Sequence, residues 1–214
     1  IDEHKDSLSI PFALKKKLAV KVFTILAQDN LAVAKYLSSC SDNDGEFTDE
    51  EFSPIEGDIL ERVQPLRYGE NPHQQASLYH VVGGPAPIWR QLQGKELSYN
   101  NMLDTDAALN LIRFFGDSEP TSAIFKHLNP CGLATSPSLL DSLKLAKRGD
   151  PRSHFGGIIA FNKPVTADVT SEIVEDFAEI VIAPSYNMEA LEILKTRKNL
   201  RVLTYETLDA PRHV

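Results

Sequence analysis

The chain has 214 residues, of which 42% are apolar and 24% are charged, which is typical of a globular protein with one large or two small domains. Its formal net charge of -8 argues against a non-specific nucleic-acid-binding protein, although a local basic patch could still receive a phosphate. Two cysteines far apart in sequence, and no apolar stretch near the roughly 20 residues of a membrane span, predict a soluble cytoplasmic protein.

The first segment has the spacing of an amphipathic helix. Apolar residues recur at intervals of three and four between Leu14 and Leu26, and the helix is expected to continue to Leu37 after an interruption at Asp29. From Ser38 to Asp58 the sequence is acidic and lacks a hydrophobic period, which predicts a solvated linker rather than a calcium loop. Because the chain starts at Ile1 without an initiator methionine, we expect it to be a piece of a longer protein.

A polar block follows, which contains Arg67, Tyr68 and Gly69. Arginine suits bidentate recognition of phosphate, and a glycine beside it lets the backbone approach a ligand closely. Local sequence alone favours a surface turn over a binding site. The run from Leu78 to Val82 then predicts a strand, with a glycine-rich turn after it.

The segment from Gly94 to Asn101 predicts a polar loop that leads into a helix. Asp104 and Asp106 suit the positive N-terminus of that helix, and the apolar residues after them would form its buried side. Asn100 could face a ligand, or it could simply cap the helix.

Lys126 and His127 directly follow the short apolar run Ala123–Phe125. A short strand, a turn and a helix often present reactive side chains at a strand's carboxyl end. Asn129-Pro130 should stop the strand because proline lacks an N–H, and Gly132 could supply a positive φ for a tight exit. Since an imidazole titrates near neutrality, the pair could handle protons. The alternative is a solvated lysine beside a hydrogen-bonded turn histidine.

The second half of the chain alternates strand-like and helical segments. This alternation predicts an α/β layered domain whose strands are at least partly parallel. Gly156 precedes one of these strands and Glu179 another, and local sequence allows each to be an ordinary turn or solvent-facing residue. The strand-like runs are Ala123–Phe125, Ile158–Phe161, Ile180–Ala183 and Leu200–Thr204, and helices are expected to begin near Ser136, Thr166 and Asn187.

The segment Phe125–Gly132 (FKHLNPCG) resembles the Lys-His-x-Asn-Pro-Cys-Gly signature of the AICAR transformylase domain in a family of bifunctional purine-biosynthesis proteins that also carry IMP cyclohydrolase. Leu66–Gln74, Gln93–Asn101 and Ser153–Phe161 agree with the family in the same order. The match is close from Leu66 to Leu203 and looser before that. Where a His-Thr-Ala-type stretch is expected after a phenylalanine, this chain has Phe23-Thr24-Ile25-Leu26-Ala27.

The resemblance implies two regions. Residues 1–58 would be the helical tail of the cyclohydrolase domain plus the acidic linker, and residues 59–214 would be the first transformylase subdomain. The implied fold is a cytidine-deaminase-like layered α/β domain with a mixed, partly parallel sheet, preceded by a helical segment.

The resemblance also implies the chemistry. A formyl group would pass from the co-substrate 10-formyltetrahydrofolate to the 5-amino group of AICAR, without a metal, in a homodimer with a shared active site. His127 would be the general base, and Lys126 would stabilise the oxyanion or assist departure of the folate nitrogen. The residues implied to bind AICAR are Arg67, Tyr68, Gly69, Asn100, Gly156 and Glu179.

Two rival functions follow from the same residues. A zinc deaminase needs H-x-E and P-C-x-x-C, but Pro130-Cys131 has no second cysteine after it, and no histidine has a glutamate two positions later. The other rival is a catalytically silent nucleotide-binding or dimerisation piece that lacks the second subdomain. We expect the chain by itself to bind the nucleotide weakly and not to turn over, with neither nucleic acid nor membrane as a partner.

Overall fold

The computed structural model describes residues 10–38, 56–84, 88–116 and 118–206. It divides into two compact units, Ile1–Glu61 with His80–Gly84 and Arg62–Tyr79 with Pro85–Val214. In the first unit, helix α1 spans Phe12–Ser38 without the interruption expected at Asp29, and none of its residues is buried. Most of the predicted acidic linker, residues 39–55, lies outside the described residues. Among the described helices, none combines the length and the apolar character needed to cross a bilayer.

Within the described residues, eight strands form two sheets. Leu60–Leu66 (β1) and Ala76–Val81 (β2) make a two-stranded sheet. The larger sheet has six strands in the order β3-β8-β7-β6-β4-β5, in which β6, β7 and β8 are parallel and the other pairs are antiparallel. The prediction of an α/β fold with a mixed, partly parallel sheet is therefore confirmed. The six strands are Trp89–Gln93 (β3), Thr121–Lys126 (β4), Asn129–Thr135 (β5), Ile158–Phe161 (β6), Ile180–Ala183 (β7) and Arg201–Tyr205 (β8).

Helices cover both faces of this sheet because its central strands are apolar on both sides. Ile158 and Ile180 point to a core shared with helix α2, whereas their neighbours Ile159 and Val181 point to a core shared with three other helices. All four side chains are at most 4% exposed, and burying such a side chain contributes about 1.5–3 kcal/mol. The helices are Tyr99–Arg113 (α2), Leu139–Gly149 (α3), Ala167–Glu175 (α4) and Met188–Leu194 (α5).

The helix starts partly match the prediction. Helices α4 and α5 begin directly after Thr166 and Asn187, as expected, and α3 begins three residues after Ser136. Helix α2 begins earlier than expected, because Ser98 is its N-cap and forms a reciprocal capping box with Asn101. The expectation that Asp104 and Asp106 flank the N-terminus of α2 is therefore wrong, since its first turn contains no acidic residue. The alternative role of Asn100 as the cap is excluded for the same reason.

The segment after His127 also differs from the prediction. Asn129-Pro130 does not stop the sheet, because β5 begins at Asn129 and pairs antiparallel with β4, with a register shift opposite Ile124 and Phe125. β5 lies at the edge of the sheet, where a proline at an irregularity is tolerated. Gly132 has no positive φ. Its lack of a side chain is instead required by α3, because a Cβ at this position would lie 2.1 Å from the carbonyl oxygen of Ala146.

Candidate functional site

A cavity of about 450 Å³, here called the site cavity, opens where β4 ends. Because β4 runs antiparallel to β6, its carboxyl end lies beside the amino ends of β6 and β7. The cavity is therefore at the opposite end of the parallel strands from the usual ligand crevice of open α/β sheets. Six predicted site residues line it together: Tyr68, Asn100, Lys126, His127, Gly156 and Glu179.

His127 and Leu128 form the two-residue turn of the β4–β5 hairpin, here called the 127–128 turn. Their φ angles are +55° and +64°, and among the described residues they are the only non-glycine positions with positive φ. Positive φ at both central residues is characteristic of the type I′ hairpin. The amide of Leu128 donates to Oδ1 of Asp104 at 2.7 Å, and Asn129 Nδ2 donates to the carbonyl of His127 at 2.9 Å. The turn leaves His127 exposed at the cavity.

Lys126 is half-buried beside this turn. Its Nζ donates to the carbonyl oxygen of Phe155 at 3.0 Å, which anchors the ammonium group to the loop before β6. Gly156, the next residue in that loop, has a φ of +74° and donates its amide to the carbonyl of Phe177 at 2.6 Å. A Cβ on Gly156 would make only an ordinary 3.4 Å contact with the Phe177 ring. The backbone conformation, rather than lack of space, therefore favours glycine here.

A partly buried cluster of charged side chains is linked to this loop. Nζ of Lys147, which is 8% exposed, donates to Glu172 Oε1 at 2.7 Å and to Asp176 Oδ2 at 2.8 Å. His154 Nε2 lies 3.4 Å from the same Asp176 oxygen, so the cluster joins α3 and α4 to the loop that carries Gly156. The hydrogen bond from Lys147 lowers the pKa of Asp176 below its ordinary value.

Glu179 lines the cavity at the start of β7, and Arg201 holds it there. The Arg201 side chain is 5% exposed, and its Nη1 lies 2.7 Å from Glu179 Oε2. Its Nε and Nη2 both donate to the carbonyl of Glu96, at 3.1 and 3.0 Å. Sequence reasoning missed Arg201, and an arginine within the apolar run Leu200–Thr204 was the signal that could have marked it.

Asn100, Arg67 and Gly69 surround the other side of the site. Asn100 lines the cavity and donates from Nδ2 to the carbonyl of Glu70 at 3.3 Å. Of the described residues, Arg67 and Gly69 adjoin the cavity without lining it. Arg67 is exposed and lies 5.5 Å from the centre of the Tyr68 ring, and Gly69 packs against Gln74. The structure thus brings six of the eight predicted residues together, whereas Arg67 and Gly69 lie outside the cavity lining.

The charges of the cavity are mixed. Glu70, Asp104 and Glu179 contribute carboxylates, whereas Lys126 contributes an ammonium group. Carboxylates accept hydrogen bonds from hydroxyl and amino groups and repel phosphate, so an anionic group fits better at Arg67. Within residues 10–38, 56–84, 88–116 and 118–206, no group of three or more His, Cys, Asp or Glu residues could hold a metal ion.

Almost the whole chain matches the model of a known protein family. A family model described as the AICARFT/IMPCHase bienzyme matches residues 1–213. Similar proteins include three called bifunctional purine biosynthesis protein PurH. The one from Halalkalibacterium halodurans is 42% identical over 95% of this chain and 39% of its own length. The one from Acetivibrio thermocellus is 41% identical over 98% of this chain and 40% of its own length. The one from Acidithiobacillus ferrooxidans is 44% identical over 89% of this chain and 36% of its own length. The chain thus spans about two fifths of the length of these curated relatives.

Similarity to solved structures is much weaker. A putative formate dehydrogenase accessory protein from Desulfotalea psychrophila aligns with 47% of this chain and 54% of its own length, at 9% identity and a TM-score of 0.38. RibD from Acinetobacter baumannii aligns with 46% of this chain and 33% of its own length, at 12% identity and a TM-score of 0.34. These values are too low to extend the fold assignment.

Proposed function

Because the chain belongs to the AICARFT/IMPCHase bienzyme family, we propose that it contributes the nucleotide-binding part of a formyl-transfer site. In the proposed reaction, the formyl group of 10-formyltetrahydrofolate moves to the 5-amino group of AICAR during IMP synthesis. The observation that carries the proposal is that Lys126 and His127 line a single cavity with four of the proposed nucleotide-binding residues.

The chemistry assigns different tasks to the two basic residues. The amine nitrogen of AICAR attacks the formyl carbon, and His127 accepts the proton that the amine loses. Lys126 Nζ stabilises the negative charge that develops on the formyl oxygen. The bond between the formyl carbon and N10 of the folate then breaks, and Lys126 Nζ assists this departure by giving a proton to N10, which balances the proton that His127 has accepted. Because Lys126 is already held by the Phe155 carbonyl at 3.0 Å, little reorientation of its ammonium group is needed.

The remaining residues would bind the nucleotide. Glu179 is suited to the ribose hydroxyls, because its carboxylate is fixed at the cavity by Arg201. Arg67 is suited to the phosphate, because it is the exposed cation next to a cavity rich in carboxylates. Asn100 and Tyr68 would contact the base or ribose from the α2 side, and Gly156 would allow the ligand to approach the backbone.

The family also supports wider proposals about the protein. We propose a cytoplasmic homodimer with an active site shared between subunits, folate as co-substrate, and cytidine-deaminase-like layering of the sheet and its helices. The relatives are named as bifunctional, so cyclohydrolase activity is proposed for a longer protein that contains this chain. Residues 1–58 remain assigned to the end of the cyclohydrolase region, and residues 59–214 to the first transformylase subdomain.

Replacement of His127 tests the proposal in the full-length protein. His127→Ala should lower kcat by about 10²–10⁴-fold, because a general base acts mainly in the transition state, and should leave AICAR affinity nearly unchanged. Turnover is followed by tetrahydrofolate absorbance, and affinity by calorimetry. Near-normal kcat in His127→Ala would refute its role as the base.

A companion substitution tests the lysine. Lys126→Arg should also lose activity, since a guanidinium differs in shape and does not release a proton at working pH. Lys144→Arg, on the exposed side of α3, is the matched control and should behave as wild type. If Lys126→Arg kept its kcat, proton donation by the lysine would be excluded and electrostatic support would remain.

The alternative function is nucleotide binding without turnover by this chain alone. It is favoured by one observation, that the chain spans only about two fifths of its curated relatives. Loss of the groups that orient the second substrate removes several kcal/mol of barrier lowering. Incubation of the chain with both substrates should give no tetrahydrofolate signal, and turnover comparable to that of the full-length protein would refute this expectation.

A further inference from the structure

The 127–128 turn has an unfavourable sequence for its conformation. Positive φ at both central residues of a hairpin is favoured by Asn-Gly or Asp-Gly, whereas this chain has His127 and Leu128 there. A leucine in the left-handed region is strained, because its Cβ crowds the backbone. Such a conformation persists at a functional site only when surrounding contacts hold it.

Asp104 supplies one of these contacts, from a different element of the fold. In a two-residue hairpin the amides of the central residues are not part of the strand ladder, so the amide of Leu128 is available to an acceptor outside the sheet. Oδ1 of Asp104 accepts it at 2.7 Å, in a charge-assisted hydrogen bond across 24 residues of sequence. Asn129 Nδ2 secures the carbonyl of His127 on the same turn.

Asp104 also links this turn to the proposed nucleotide-binding helix. It lies one helical turn after Asn100 on α2, so the two side chains share a face, and both line the site cavity. A single carboxylate therefore fixes the histidine relative to the helix that would hold the nucleotide.

We propose that Asp104 is a positioning residue, which holds the strained 127–128 turn so that the His127 imidazole meets the amine of the nucleotide. This inference rests on the proposed function of His127. Asp104 has no proton-transfer role in this proposal, and its part is the hydrogen bond that Oδ1 accepts from the amide of Leu128. Its loss should therefore affect kcat more than nucleotide affinity.

The experiment is a double-mutant cycle in the full-length protein. Asp104→Ala should lower kcat by about tenfold or more, because a displacement of about 1 Å can cost up to 10²-fold, with AICAR affinity changed less than about threefold. Asp104→Asn retains an acceptor and should keep more activity than Asp104→Ala. In a Leu128→Gly background, where positive φ carries no strain, the loss caused by Asp104→Ala should be clearly smaller. Asp106→Ala, on the same helix and outside the cavity lining, is the control for the charge.

A second measurement separates this proposal from the proposed function. Hydrogen exchange of the Leu128 amide, which needs no turnover, should be faster in Asp104→Ala than in wild type. Unchanged exchange would overturn the positioning role even if His127 proved to be the base. The positioning role would also be overturned if Asp104→Ala lowered kcat equally in the wild-type and the Leu128→Gly backgrounds. In that case the carboxylate would act directly and not through the strained turn. If His127→Ala remained active, the proposed function would fall, and accelerated exchange would still show that Asp104 holds the turn.

Discussion

Replacement of Arg201 by methionine should weaken both the fold and nucleotide binding. The substitution removes two hydrogen bonds to the Glu96 carbonyl and the ion pair with Glu179. A fully buried pair would cost about 3–5 kcal/mol when broken, but the Glu179 side chain is 39% exposed and keeps contact with water. We therefore expect the free energy of unfolding to fall by about 2–3 kcal/mol, mostly from the lost hydrogen bonds.

The effect on binding should act through Glu179. Once released from Arg201, its carboxylate must be ordered again by the ligand, and we expect AICAR affinity to fall about tenfold, or about 1.4 kcal/mol. Arg201→Lys keeps the charge but loses the fork geometry, so it should lie between wild type and Arg201→Met.

Urea unfolding and calorimetric titration measure the two effects separately. The decisive comparison places Arg201→Met in a Glu179→Gln background, where its further effect on affinity should be small because the group it positions is already altered. If Arg201→Met weakened binding equally in both backgrounds, Arg201 would not act through Glu179, and the reasoning would be refuted.

Three further substitutions test other parts of the structure. Arg67→Ala should weaken AICAR binding by on the order of 2 kcal/mol, through loss of the phosphate contact, whereas Arg148→Ala on α3 should not. Unchanged calorimetric affinity in Arg67→Ala would remove Arg67 from the site. Gly132→Ala should destabilise the fold by on the order of 3 kcal/mol, because its Cβ would lie 2.1 Å from a carbonyl oxygen. A thermal unfolding midpoint equal to that of wild type would contradict this contact. Asp176, whose folded pKa is lowered from 3.8, contributes stability that is present above that pH and is lost as pH falls through the folded pKa. Asp176→Asn should therefore have a lower free energy of unfolding than wild type at pH 7, and urea titrations should show this difference shrinking below about pH 4. A difference that stays constant with pH would exclude this linkage.

The sequence predicted the central part of the fold because that part has a strong local pattern. β6 and β7 are short, continuously apolar and covered on both faces, and such runs stand out between polar helix caps. β3 and β5 lie at the two edges of the sheet, where polar residues and a proline are tolerated, so their sequences resemble loops.

The site was predictable to the extent that its residues lie in recognisable blocks. Lys126 and His127 belong to such a block, and the structure places both at one cavity. Asp104 and Arg201 act through partners 24 and 22 residues away, and nothing in the adjoining sequence indicates those pairings. Residues that support a site through partners far away in the sequence can be identified only from the folded structure.

The pairing of β3 with β8 connects the segment that leads into α2 with a strand far away in the sequence. Trp89 pairs with Tyr205, and Gln93 Nε2 donates to the carbonyl of Leu194, 101 residues away. Closing so long a loop costs chain entropy, which the contacts between β3 and β8 must offset. The loop from Gly94 to Ser98, which leads into α2, follows β3 directly. The cavity wall at Asn100 is thus joined, through β3 and the loop after it, to β8 at the other end of the domain's sequence.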